Sequence, residues 1–143
     1  MSVADIGDDD DKQMEYYKSC TVGELNGMYL NAARQGDWPR IEKLLEAGAE
    51  LDYAGGAALT AATDEGHIDI ARRLIALGLN TALSKQEALG DAVYADRPDV
   101  VKFLIDEVKA DPASNDSAAL FSAVVNDRPA MVRLLLEKGA NVH

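Results

Sequence analysis

The stretch 57–78, AALTAATDEGHIDIARRLIALG, decides the fold of this 143-residue chain. It begins with small apolar residues, turns at Gly66-His67 and continues as an amphipathic segment that ends on the doublet Leu74-Ile75. Apolar residues at helical spacing on both sides of a glycine predict two short helices joined by a tight turn. Neither helix can bury its apolar face alone, so similar pairs must stack against it.

The same pattern recurs along the chain with a period of 30 or 31 residues. The first helix of each unit carries a small residue at Ala32, Ala62, Ala92 and Ala123. Four residues later the turn residues are Gly36, Gly66, Asp96 and Asp127. Aspartate tolerates the left-handed backbone better than most residues, so the two aspartates are expected to turn the chain as glycine does. The period predicts an all-α array of helix-turn-helix units.

Capping signals locate the helix starts. Thr21 with Glu24, and Ser84 with Glu87, have the spacing of a capping box, and Ser114 or Asn115 is the cap expected before a helix over 118–126. The remaining first helices are expected over 22–34 and 57–65. Asp37 is expected to cap the helix that holds Pro39 in its first turn.

These units resemble ankyrin repeats. The family pattern is matched best by 57–62, 66–71 and the doublet at 74–75, and the unit endings 44–49 and 135–142 are similar to the family's. The resemblance covers about residues 25–143 and implies an ankyrin-type helix-turn-helix repeat solenoid. The repeat domain is assigned to residues 19–143, with units of about 21–50, 51–80, 81–111 and 112–143.

Two features depart from the family. The usual ankyrin period is 33 residues, and the shortfall lies in the loops 50–57, 80–87 and 111–118. The β-hairpin fingers of the family should therefore be truncated, which moves partner contacts toward the first helices. The sequence also closes a unit close to His143 without a polar cap, so either the natural protein continues or the last helix is only partly covered.

Residues 1–18 are expected to form a disordered leader. Asp8–Lys12 resembles the enterokinase site of expression tags, and Met14 is a candidate native start. Residues 1–12 contribute −4 of the net charge of −11, which leaves −7 for the rest of the chain. Tyr16, Tyr17 and Tyr29 are expected to cover the open face of the first unit.

Composition argues against several classes of function. The longest apolar runs are too short for a membrane span, and no signal peptide is visible. An acidic domain disfavours nucleic acid, and a single cysteine, Cys20, fits a cytoplasmic location. Two histidines cannot build a His-based metal site or triad, and Gly55-Gly56 lacks the rest of a phosphate loop. No catalytic residue, cofactor or metal is expected.

The ankyrin resemblance implies that the exposed ends of the first helices bind the partner. The residues assigned to this role are Arg34, Gln35, Asp64, Glu65, Asp91, Tyr94 and Asn126. Tyr94 is the anchor candidate, although packing between units three and four would also explain it. Asp64, Glu65 and Asp91 could accept Lys or Arg of a partner, or could simply be a solvated helix end.

We expect a monomeric, non-enzymatic protein–protein interaction module whose partner is another protein, with a basic one favoured. It would bind neither nucleic acid nor membrane. Two alternatives stay open at this point. One is an immunity or antitoxin-type inhibitor of a basic toxin or enzyme, and the other is an accessory domain of a larger enzyme or effector.

Overall fold

A computed structural model describes the backbone of residues 3–140 and the side chains of 11–115 and 117–140. Nine helices and no strands are found in that range, so the all-α prediction is confirmed. The helices are α1 (Val3–Ser19), α2 (Val22–Gln35), α3 (Trp38–Ala47), α4 (Tyr53–Asp64), α5 (Ile68–Ala76), α6 (Lys85–Tyr94), α7 (Pro98–Asp106), α8 (Ser114–Val125) and α9 (Pro129–Glu137).

Helices α2 to α9 form four antiparallel pairs that stack in one direction. The first helices pack directly on one another, α2 on α4, α4 on α6 and α6 on α8, whereas the second helices approach each other only sparsely. Small side chains such as Ala58, Ala61 and Ala62 are buried on these first helices and let their backbones come close. The stack therefore curves toward the first helices, which we call the inner row.

Leucine at repeating positions builds one continuous core. The second helices bury Leu44, Leu74, Leu104 and Leu135 completely. The first helices bury the equivalent set Tyr29, Leu59, Leu89 and Leu120. Tyr29 replaces leucine in the first unit, and its hydroxyl donates a 2.9 Å hydrogen bond to the carbonyl oxygen of Leu51.

The turns between paired helices are left-handed at all four predicted residues. The φ angles are 72° at Gly36, 78° at Gly66, 57° at Asp96 and 54° at Asp127, which confirms the prediction for the two aspartates. A side chain of the next unit covers three of these turns. A Cβ at Gly36 would lie 2.9 Å from the His67 ring, and one at Gly66 would lie 2.8 Å from Nη1 of Arg97.

Aspartate at the third turn has room for its side chain because its neighbour pairs with it. Arg128 holds the position over Asp96 that Arg97 holds over Gly66, and its Nη1 lies 3.1 Å from Oδ2 of Asp96. The arginine therefore forms an ion pair with the turn residue at this position. His67 precedes α5 but makes no side-chain hydrogen bond that caps this helix.

The loops between units are short, as expected, but they are closed in two ways. In units two and four the chain turns through left-handed backbone at the start of the first helix. These residues are Ala54, Gly55 and Gly56 of α4 and Asn115 and Ser117 of α8. Unit three instead turns at 81–84, where the amide of Ser84 donates a 3.2 Å hydrogen bond to the carbonyl of Thr81.

Only one of the two predicted capping boxes forms. The Glu24 amide donates to the Thr21 hydroxyl at 3.2 Å, and the Thr21 amide donates to Glu24 Oε1 at 2.9 Å, which confirms the first. Ser84 precedes α6 but makes no side-chain cap, so the second was wrong. The tight turn at 81–84 buries Ser84 to 4% exposure and gives it a helix-like rather than extended backbone.

The N-terminal segment differs from the expected disordered leader, because residues 3–19 form helix α1 and pack on α3. Tyr17 explains this packing: it is 2% exposed, and its hydroxyl accepts a 3.3 Å hydrogen bond from Nε of Arg40. Tyr17 and the buried Tyr29 therefore cover the first unit as expected. Tyr16 does not, because it is 57% exposed. Residues 1 and 2 of the leader lie outside the described range.

Candidate functional site

The inner row presents the ends of the first helices to solvent at equivalent positions of successive units. Arg34, Asp64, Tyr94 and Val125 form one row of exposed residues across α2, α4, α6 and α8. A second row, one helical turn earlier, consists of Leu30, Thr60, Gly90 and Phe121. The rows change in chemistry along the stack: their charged residues, Arg34 and Asp64, lie in units one and two, and the exposed Tyr94, Phe121 and Val125 lie in units three and four.

The charged part lines a groove of about 360 Å³ between α2, α4 and α6. Arg34, Asp64 and Asp91 meet in this groove, as their register predicted, and Glu87 lines it as well. The walls are completed by the left-handed turn of unit two and by the apolar side chains Leu30 and Leu83. We call this space the acidic groove.

The carboxyl group of Asp64 is the most perturbed acid of the groove. Partial burial between the helices, the negative charge of Asp91 and a hydrogen bond to Asp91 together raise the pKa of Asp64 to about 6. Glu65 acts in the same direction, while Arg34 opposes the shift. Asp64 therefore keeps its proton up to about pH 6 and is ionised well above it.

Two hydroxyl groups at the groove have no hydrogen-bond partner. Thr60 Oγ1 and Ser84 Oγ are both buried and unpartnered within the described residues, and both residues line the groove. A buried polar group without a partner costs stability, so such groups mark places where a ligand or water completes the site. Sequence reasoning missed both, and it assigned Ser84 and Glu87 to a capping box that does not form.

The apolar part lies at units three and four. Tyr94 is 70% exposed, which excludes packing between these units as its explanation. Phe121, Val124 and Val125 are also largely exposed, at 71%, 59% and 63%. The register of the repeats places Val125 on this exposed surface, but sequence reasoning missed Phe121 and Val124, although Phe121 lies in register with Leu30 and Thr60.

Four of the seven predicted site residues, Tyr94 among them, lie outside the groove. Gln35 Oε1 accepts a 3.4 Å hydrogen bond from Nη1 of Arg40, and Asn126 Nδ2 donates a 2.8 Å hydrogen bond to the Ser122 carbonyl. Glu65 is exposed beside Asp64 and does not line the groove. The structure thus brings together only Arg34, Asp64 and Asp91, with Tyr94 one helical turn beyond Asp91.

The described residues contain no group of three His, Cys, Asp or Glu that could hold a metal ion. Across residues 3–140, no helix combines the length and the apolar character that a membrane span requires. The acids of the groove can accept hydrogen bonds and carry negative charge, and they face a cavity open to solvent. This chemistry suits recognition of a cation.

Comparison with known proteins agrees with the repeat architecture. A family model described as ankyrin repeats in three copies matches residues 28–116 and again residues 77–143. The two matches together span residues 28–143, well over half of the chain. No curated protein matches the chain.

Proposed function

Because the chain belongs to the ankyrin repeat family, whose members are generally non-enzymatic protein–protein interaction modules, we propose that it binds another protein on its inner row. The observation that carries this proposal is the pair of exposed aromatic residues Tyr94 and Phe121 on that row. Exposed aromatic side chains on a rigid surface are typical anchors of protein interfaces.

The architecture also favours binding in energetic terms. Stacked helices hold the exposed residues in fixed positions, so little conformational entropy is lost when a partner docks. The second helices carry fewer exposed apolar residues, mainly Leu77 and Leu136. The proposed interface is therefore the inner row and not the outer surface.

The charges favour a basic partner. Asp64, Glu87 and Asp91 line the acidic groove against a single Arg34, so a positively charged protein would be attracted and nucleic acid repelled. An inhibitor of a basic toxin or enzyme is one form of this function. We expect the chain to bind its partner as a monomer. The free, half-buried Cys20 is compatible with a reducing, cytoplasmic location.

A displayed library of random 16-residue peptides tests the proposal. Peptides selected on the wild-type chain should lose binding to a Tyr94→Ala/Phe121→Ala variant. They should keep binding to the control Leu77→Ala, because Leu77 is 55% exposed on a second helix. Since all three residues are exposed, none of these variants should lower the midpoint of unfolding appreciably.

Peptides that bind the wild type and the aromatic variant equally would place the interface elsewhere. A library that yields no binder above background, against a control ankyrin protein that does, would contradict the proposed function itself. Affinity that falls steeply with added salt would favour the basic partner, because exposed charges are screened over about 10 Å at 0.1 M salt.

A further inference from the structure

We propose that the acidic groove is a socket for one arginine side chain of the partner protein. This inference rests on the proposed function and specifies the chemistry that the inner row recognises. The socket lies between α2, α4 and α6, and it combines Asp64, Glu87 and Asp91 with the unpartnered hydroxyls of Thr60 and Ser84.

The charge of the groove requires a cation. Three carboxylates line it, and Arg34 is the only cationic residue in the lining. Asp64 and Asp91 are close enough to share a hydrogen bond, so in the free protein they repel each other once both are ionised. A positive group between them removes that repulsion.

The number of acceptors favours guanidinium over ammonium. Two adjacent carboxylates offer several oxygens, and the two free hydroxyls can each accept or donate as needed. A guanidinium group carries five N–H donors in a planar fork that matches paired carboxylates, whereas an ammonium carries three.

The walls suit the aliphatic part of an arginine. Leu30 and Leu83 line the groove, and apolar walls favour the methylene stem of a side chain whose charged end reaches the acids. Leu83 is 80% exposed, so the mouth is open to solvent. The Leu83 side chain lies close to Gly55, where a Cβ would lie 3.2 Å from Leu83 Cδ1. A residue larger than glycine at this position would push the Leu83 side chain out of the groove wall.

Binding should depend on pH. Asp64 faces Asp91 and Glu87 of α6, Arg34 of α2 and Glu65 of its own helix end. Below about pH 6 the proton held by Asp64 reduces the negative charge of the socket. A guanidinium must displace that proton, so affinity should rise as pH increases from 5 to 7.5.

The direct test is an NMR titration of the ¹⁵N-labelled chain with N-acetyl-arginine methylamide. Backbone amides of 60–64 and 84–91 should shift and saturate, more strongly at pH 7.5 than at pH 5. The neutral analogue N-acetyl-citrulline methylamide should leave them in place. Equal shifts with citrulline, or with N-acetyl-lysine methylamide, would overturn the assignment to a guanidinium group.

Three variants locate the site. Asp64→Asn/Asp91→Asn should weaken arginine binding by about 10-fold or more, because both charge-assisted hydrogen bonds are lost. Thr60→Val should weaken it by about 2- to 10-fold without lowering stability, since the hydroxyl has no partner in the free protein. Asp99→Asn, an exposed acid in the first turn of α7, is the matched control and should bind like wild type.

Unchanged binding in both groove variants would overturn the socket. The peptide selection separates this failure from that of the proposed function. Selected peptides that need Tyr94 and Phe121 but show no arginine enrichment would contradict the socket alone. Peptides enriched in arginine that lose affinity in the Asp64→Asn/Asp91→Asn variant would support both.

Discussion

At the scale of single residues, backbone conformation decides what the repeat tolerates. Gly56 has a φ of 87°, and a Cβ there would collide with the carbonyl oxygen of Asn80 in the next loop. The equivalent position in units one and three holds an amide side chain instead. Asn26 and Gln86 each exchange two hydrogen bonds with the following loop, at Glu50 and at Asp111.

Gly56→Ala should therefore be strongly destabilising. The strained φ alone costs about 1–3 kcal/mol, and the collision with Asn80 adds to it. Urea unfolding monitored by circular dichroism gives the free energy. Gly90→Ala is the control, because Gly90 lies inside α6 with nothing within 4 Å of its Cβ position, and it should be neutral or stabilising by about 1 kcal/mol. A tolerated Gly56→Ala would contradict the close loop contact.

Asp64→Asn should stabilise the chain at pH 7.5 and change little at pH 4. The folded protein holds the Asp64 proton up to about pH 6, whereas the unfolded chain releases it at the lower, ordinary pKa of aspartate. The native state thus binds more protons in the window from about pH 4 to 6, and wild-type stability falls as pH rises through it. Thermal unfolding of both proteins across this window measures the effect. Parallel pH profiles would show that Asp64 is not perturbed.

Residue chemistry was predictable from sequence where it depended on neighbours along the chain. The left-handed aspartates and the Thr21–Glu24 capping box are of this kind. The unpartnered hydroxyls of Thr60 and Ser84 were not, because their state depends on which atoms of other units surround them. Register placed Asp91 near Asp64, but only the stacked helices reveal the groove between them.

At the scale of elements, helix α1 is the main difference from expectation. The acidic, tag-like sequence of the leader predicts disorder. Its C-terminal half, however, carries Met14 and Tyr17 at helical spacing. Both side chains pack on the core of the first unit. An apolar face can order a polar helix when a neighbouring unit offers a surface to bury it.

Tyr17→Ala should lower stability by about 3 kcal/mol, as truncation of a buried aromatic residue does. Tyr16→Ala is a matched control one residue away, because Tyr16 is 57% exposed while Tyr17 is 2% exposed. It should change stability by less than about 0.5 kcal/mol. Chemical unfolding of the two variants compares them directly. Equal effects would mean that α1 does not dock on α3.

Helices α4 and α8 end within one residue of expectation but begin four residues earlier than the expected 57 and 118, because left-handed residues at 54–56 and at 115 and 117 precede their regular parts. Helix α2 was expected over 22–34 and runs over Val22–Gln35, since caps and turn glycines lie in the local sequence. The loops were harder to predict. Their length followed from the period, but their conformation depends on contacts with the preceding unit, such as the hydrogen bond from the Asn80 amide to Asp52 Oδ1 at 2.7 Å.

At the scale of the whole molecule, the main helix contacts of the described residues lie within a unit or between neighbouring units. Ion pairs between the second helices also join neighbouring units. Arg72 of α5 donates two hydrogen bonds, of 3.0 and 2.7 Å, to the carboxylate of Glu107 at the end of α7. Lys138 likewise contacts Asp106 at 2.9 Å. Each pair is about half exposed and contributes at most about 1 kcal/mol, so the buried leucines dominate the stability of the stack.

Leu74→Ala should cost about 2–5 kcal/mol, and Leu135→Ala noticeably less. Both side chains are completely buried, but Leu74 lies in a unit with neighbours on both sides, whereas unit four of the described chain contacts only unit three. Denaturant titrations of both variants give the two free energies. Equal losses would argue against one-dimensional stacking or for a further cover on unit four.

The alternation between two loop conformations has a consequence for how such a repeat array can be lengthened. Left-handed turns occur at 54–56 and again at 115 and 117, while loop-holding amides occur at Asn26 and Gln86, so structural equivalence returns after 60 or 61 residues. The structural repeat of the loops is therefore two units long rather than one. An array lengthened by a block of two units keeps the alternation, while one lengthened by a single unit places two like junctions side by side. Comparing the unfolding cooperativity of the two longer arrays would show whether like junctions side by side weaken the coupling between units.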